Sequence, residues 1–164
     1  MNSQRVIYAE AQLSGLLRDA TSRRYLSSDG LPARNMLFRA EPSPYVLAAG
    51  DPAASYVIVG RTSAQLFIGL HQDSGEVVAI DSDELYRNRA WHVNADIAKF
   101  VASVTEFDAR VPFYTGEFTN EKVEESAASL TSKLLEIDPT AFREDPGFWQ
   151  GLTSDVAVGD YSGV

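Results

Sequence analysis

YVIVGRTSAQLFIGLHQDSGEVVAIDSDELYRNRAWHVNADIAKFVASVTEF, residues 56–107, holds three strands, a hairpin turn and a capped helix in unbroken succession. Tyr56 to Gly60 is a β-branched run bounded by polar residues and reads as a strand. In Leu66 to Leu70, Leu66, Ile68 and Leu70 share one face while Phe67 and His71 share the other, the pattern of a central strand with both faces at least partly covered. Gly69 inside that strand marks a bulge or a close backbone approach. Gln72 to Gly75 has the chemistry of a turn whose last residue needs φ > 0, so Glu76 to Ile80 folds back antiparallel. After a short apolar step at Trp91 and Val93, Asn94 reads as a helix cap with Asp96 in the first turn. Ile97, Phe100, Val101, Val104 and Phe107 then recur at helical spacing and give that helix one apolar stripe for the sheet. Sheet followed by helix predicts an α+β fold, with a mainly antiparallel sheet flanked by N- and C-terminal helices.

Outward from this stretch the signals are sparser. Val6, Leu13, Leu16 and Leu17 fall on one helical stripe over residues 5–20, with Thr21 to Leu26 continuing it or forming a second short helix. Leu37-Phe38 and Tyr45 to Leu47 read as short strands separated by E-P-S-P, whose prolines are excluded from a central ladder, and Ala48 to Ser55 reads as a turn. Val123, Ala127, Leu130, Leu134 and Ile137 predict a helix closed by Asp138-Pro139. Asp145 and Pro146 read as the cap and first position of a last helix carrying Phe148, Trp149, Leu152 and Val156.

Composition narrows function. A length of 164 residues fits one domain spanning 1–164 with a core of its own. With no cysteine, disulfides, thiolate metal sites and a cysteine nucleophile are excluded. The first twenty residues lack the apolar core of a signal peptide and no later segment is long enough to span a bilayer, so a soluble cytoplasmic protein is expected. A net charge of −9 argues against nucleic acid as a direct ligand. The imbalance is uneven: residues 1–40 carry six Arg against three acids, a net +3, and the remainder carries −12. An acidic body attracts a basic partner, although acidity for solubility alone is common.

No phosphate-binding G-x-x-x-x-G-K loop, dinucleotide G-x-G-x-x-G turn, zinc-protease H-E-x-x-H helix or nucleophile G-x-S-x-G elbow occurs. His71 and His92 are the only histidines; convergence with Asp73 or Glu76 on a metal is conceivable, but two histidines at unrelated positions fit a partly buried or surface role better. Asp73, Asp81, Asp83 and Glu84 lack the central Gly and alternating oxygen ligands of a calcium loop. Trp91 and Trp149 each adjoin an apolar stripe and read as core, as do Phe113 and Tyr114.

Val59-Gly60-Arg61, the strand L-F-I-G-L at 66–70, the turn D-S-G-E-V-V at 73–78 and V-N-A-D-I-A-K-F at 93–100 together resemble the fourth family of the SUKH superfamily of bacterial immunity proteins. Tyr25-Leu26 before Gly30-Leu31-Pro32 is similar to the family's N-terminal helix leading into its first strand, and Phe148-Trp149 with Gly159-Asp160-Tyr161 to its C-terminal helix and tail. The resemblance implies a cytoplasmic protein without catalysis or cofactor. Its partner would be a cognate toxin, of nuclease or nucleic-acid deaminase type, whose active site it occludes. An acidic surface suits a basic substrate groove, which singles out Asp73, Glu76, Asp81, Asp83 and Glu84 as partner-binding residues. The alternatives are an intracellular regulatory scaffold, which the wider superfamily includes, and a small metal-dependent hydrolase built on the two histidines.

Overall fold

A computed structural model of the protein describes residues 4–50, 53–62, 66–81, 89–115 and 119–161. The described elements, in order, are β1 (Arg5–Val6), α1 (Glu10–Ser14), α2 (Ala20–Ser28), β2 (Leu31–Pro32), β3 (Phe38–Ala49), β4 (Ala54–Thr62), β5 (Phe67–His71), β6 (Val77–Ile80), β7 (Ala90–Asn94), α3 (Ile97–Arg110), α4 (Asn120–Ile137) and α5 (Phe148–Val158). β3 to β7 form one antiparallel meander in chain order, and β1 pairs with β2 as a separate ribbon. The fold is α+β, with helices at both ends of the chain flanking the sheet.

Alternation along the strands explains the layering. Phe38, Val57, Val59, Ile68, Leu70, Val77 and Ala79 join one core with Phe100, Val104 and Phe107 of α3, Leu130 and Leu134 of α4, and Trp149 and Val156 of α5. Tyr56, Ile58, Val78 and Ile80 make a second buried cluster on the opposite face. The sheet is therefore covered on both sides, as the run Leu66 to Leu70 predicts. At Gly69 the close approach is real: an added Cβ would lie 3.0 Å from Ile58 Cδ1, while the bulge itself falls in β4, between Ile58 and Gly60. Gly75 closes the β5–β6 turn at φ +72°, the left-handed conformation that the sequence requires there.

The E-P-S-P segment behaves differently from two separate strands. β3 runs through it, but its ladder to β4 skips from Ala40–Gly60 to Tyr45–Ile58, leaving Pro42 and Pro44 in a break on an edge strand where no N–H is missed. The Tyr8 hydroxyl enters this break, donating to the Glu41 carbonyl at 2.7 Å and lying 3.2 Å from that of Val59. Burial, followed by the Glu41 charge, pushes the Tyr8 phenol up.

Other boundaries move too. Residues 5–20 are not one helix: Val6 pairs with Leu31, and helix survives only from Glu10 to Ser14 before Gly15. The apolar step at Trp91 and Val93 is a full strand, β7. Its last residue is Asn94, so the cap of α3 is Asp96, whose carboxylate accepts from the Lys99 N–H at 2.9 Å. Two capping residue types two positions apart satisfy the same local rule; burial of Asn94 beneath α5 decides between them. Likewise α5 is capped by Gly147, not Asp145, because the Glu144 carboxylate accepts from the β7 amide of His92 at 3.1 Å and holds the chain against the sheet edge before the helix starts.

The reassignment is testable by urea denaturation. Asp96→Ala, which removes a cap, is expected to cost about 1 kcal/mol. Asn94→Ala, which strips partners from two buried groups, is expected to cost about 2 kcal/mol or more. No loss for Asp96→Ala, with about 1 kcal/mol for Asn94→Ala, would return the cap to Asn94.

Candidate partner-binding site

The β5–β6 hairpin separates the three described members of the five acidic residues singled out by charge. Asp73 lies on its turn and Glu76 just before β6, whereas Asp81 follows β6 at the other end of the strand. Five residues of extended chain put Glu76 and Asp81 about 17 Å apart. Asp83 and Glu84 lie outside the described residues. Asp73 is exposed and pairs with Arg18 at 2.7 Å across the turn. Asp81 is half-buried, and its amide donates to the Arg89 carbonyl at 3.2 Å.

Glu76 belongs to a different structure, a polar network beneath the α4–α5 connection. Its carboxylate takes Nδ1 of His92 at 2.7 Å and is also bridged by Arg143. His92 Nε2 lies 2.9 Å from Thr140 Oγ1, and that hydroxyl donates to Asp138 Oδ1 at 2.8 Å. Asp138 Oδ2 accepts from Asn94 Nδ2 at 2.9 Å and from the Ala95 N–H at 2.8 Å. Asn94 Oδ1 in turn accepts from Trp149 Nε1 at 3.1 Å. The chain of bonds thus runs from a half-exposed carboxylate to the deepest ring of the core.

Asp138 is fully buried. Burial, the largest influence on it, favours the neutral acid, but the donors from Ala95, Asn94 and Thr140 outweigh it and hold the carboxyl below the ordinary aspartate range. With both imidazole nitrogens of His92 engaged and the ring buried, the network offers no free base to a substrate; it locks the α4–α5 connection onto β7. The other histidine, His71, sits edge-on to Tyr56 and accepts weakly from the turn amides of Asp73 and Ser74 at 3.4 and 3.3 Å. Among the described residues no group of three or more His, Asp or Glu converges as a metal site.

At the Asp81 end the structure adds residues that charge alone does not suggest. Trp91, expected in the core, is half-buried and carries the Arg89 guanidinium 5.2 Å above its ring. With Leu66, Ala79, Pro146, Gly147 and Phe148 it lines a cavity of about 230 Å³. A second cavity of about 300 Å³ shares Leu66, Gly147 and Phe148 and extends along α5 to Leu152, Asp155 and Tyr161. Burial, then the neighbouring Asp160, pushes the Asp155 carboxyl up. An apolar groove beside an aromatic–arginine pair and acidic residues has the composition of a protein contact surface. Trp149, by contrast, is fully buried as expected, and Phe113 packs edge-on against Phe107.

No helix among the described residues is long and apolar enough to cross a membrane. A family model described as SUKH-4 immunity protein matches residues 3–155. No curated protein and no solved structure matches the chain.

Proposed function

The chain belongs to the SUKH-4 immunity protein family, and from that premise we propose that it acts in the cytoplasm, as one SUKH-like domain, by binding a cognate toxin and covering its active site without catalysis of its own. The family match over residues 3–155 is the observation that carries this reading. The net charge of −9 supports a partner with a basic, phosphate-shaped groove, as a nuclease or nucleic-acid deaminase has. The proposed contacts are Asp81, which follows β6 near the Trp91 groove, with Asp83 and Glu84 after it in the sequence, and Asp73 and Glu76 at the opposite end of that strand, where each is paired with an arginine.

Charge steering makes a kinetic prediction. Association with the cognate toxin slows steeply with rising ionic strength while dissociation changes much less. Reversing Asp81, Asp83 and Glu84 to Lys slows association by about tenfold or more at low salt and weakens protection of cells co-expressing the toxin, with a thermal melt run alongside to separate loss of recognition from loss of fold. A folded triple variant that protects fully removes these residues from the interface, and salt-independent association removes the electrostatic mechanism. Failure of the unaltered protein to bind the toxin would overturn the immunity reading itself.

A further inference from the structure

The excess of arginine in the first forty residues has a destination that toxin binding by an acidic surface does not use. Arg34 forms an isolated antiparallel bridge with Arg39, and Arg39 stands opposite Arg61 in the β3–β4 ladder. Directly opposed residues in antiparallel strands share a face, so three exposed guanidinium side chains occupy consecutive positions in one cross-strand row. Like charges directly opposite one another destabilise a sheet. In a chain with only 14 basic residues and a net charge of −9, placing three of them side by side is a cost that the fold does not require.

The surroundings suit a small dianion. Of the three, Arg61 is the one with an ion pair among the described residues, to Glu41, with Nε 2.7 Å from Oε1, and its guanidinium lies 5.6 Å from the Phe67 ring centre, which fixes its orientation. The row therefore retains about two positive charges, matching the −1.5 to −2 of a phosphate monoester near neutral pH. Arg34, Asn35, Arg39 and Arg61 are among the residues lining a cavity of about 290 Å³, and a neighbouring one of about 220 Å³ is lined by Arg39 and Arg61 together with Glu41, the partner of Arg61. Thr62, one residue along, stands opposite Phe38 and so faces the helix-side core, away from the arginine row. Planar guanidinium forks bind tetrahedral oxyanions through paired hydrogen bonds.

We propose that Arg34, Arg39 and Arg61 form a binding site for a phosphate monoester, with Asn35 at its margin. The ligand is a small phosphorylated molecule and not a nucleic-acid strand, since the rest of the surface is acidic.

The test titrates the purified protein at constant, near-physiological ionic strength with inorganic phosphate, a nucleoside 5′-monophosphate and acetate, following Arg side-chain NMR signals. Saturable shifts of Arg34, Arg39 and Arg61 with phosphate or the nucleotide, and weaker ones with acetate, are expected. Tighter binding of the nucleotide than of inorganic phosphate would identify a nucleotide source; equal binding would identify phosphate itself. Arg39→Gln should weaken binding about tenfold or more and, by relieving like-charge opposition, raise the melting temperature. Arg24→Gln, an exposed change on α2, should alter neither. Non-saturable shifts, acetate binding as tightly as phosphate, undiminished binding by Arg39→Gln, or a lower melting temperature for that variant would each overturn the proposal.

Discussion

Trp149→Ala is expected to remove about 3–5 kcal/mol of stability, a large fraction of the roughly 5–15 kcal/mol that a domain possesses. Trp149 is fully buried where α5 meets β7, with the Phe148 ring edge-on at 5.1 Å and its Nε1 donating to Asn94. The substitution leaves a cavity and takes a donor from the buried amide, so two penalties add. Trp149→Phe retains most of the volume and loses the donor alone, for about 1–3 kcal/mol. Urea denaturation separates the two variants. A loss below about 1 kcal/mol for Trp149→Ala would mean that α5 is not docked as described.

Asp138→Ala should be comparably damaging, about 3–5 kcal/mol near neutral pH, because it strands the buried Asn94 amide and the part-buried donors of Ala95 and Thr140. Its pH dependence makes the assignment specific. The folded carboxyl is held below the ordinary aspartate pKa, so its contribution is complete above that range and is lost as pH falls through the folded value. The stability gap between the unaltered protein and Asp138→Ala should therefore be constant above about pH 5 and narrow progressively below about pH 4. A gap that persists undiminished in strong acid would show that the side chain contributes through packing and not as an anion.

Local rules carried the sequence reading as far as local physics decides structure. The turn before Gly75, the apolar stripe of α3, the long helix from Val123 to Ile137 and the burial of Trp149 follow from spacing and residue type, and all are present. What escaped is settled by distant partners. Asn94 and Asp96 are equally good caps in isolation, and Asp145 before Pro146 has the form of a helix start; Asp138 and Glu144, 44 and 52 residues from their partners Asn94 and His92, decide otherwise. Charge groups the acidic residues, but the placement of Asp73 and Glu76 at one end of β6 and of Asp81 at the other requires the topology. The arginine row is likewise invisible in one dimension, since Arg39 and Arg61 are brought together only by the β3–β4 register.

The treatment of the two outermost strands bears on how the protein behaves at high concentration. On one side, the carboxylates of Glu144 and Asp138 already occupy the outward amides of His92 and Ala95 at β7 and just beyond it; on the other, Pro42 and Pro44 interrupt β3 where a foreign strand would need continuous donors. Neither rim offers a long template for sheet-to-sheet growth, the route by which β-rich proteins seed fibrils. The protein is therefore expected to stay dispersed when it is in excess of its partner, and a store of dispersed, ready molecules is what a neutralising agent needs when its target arrives without warning.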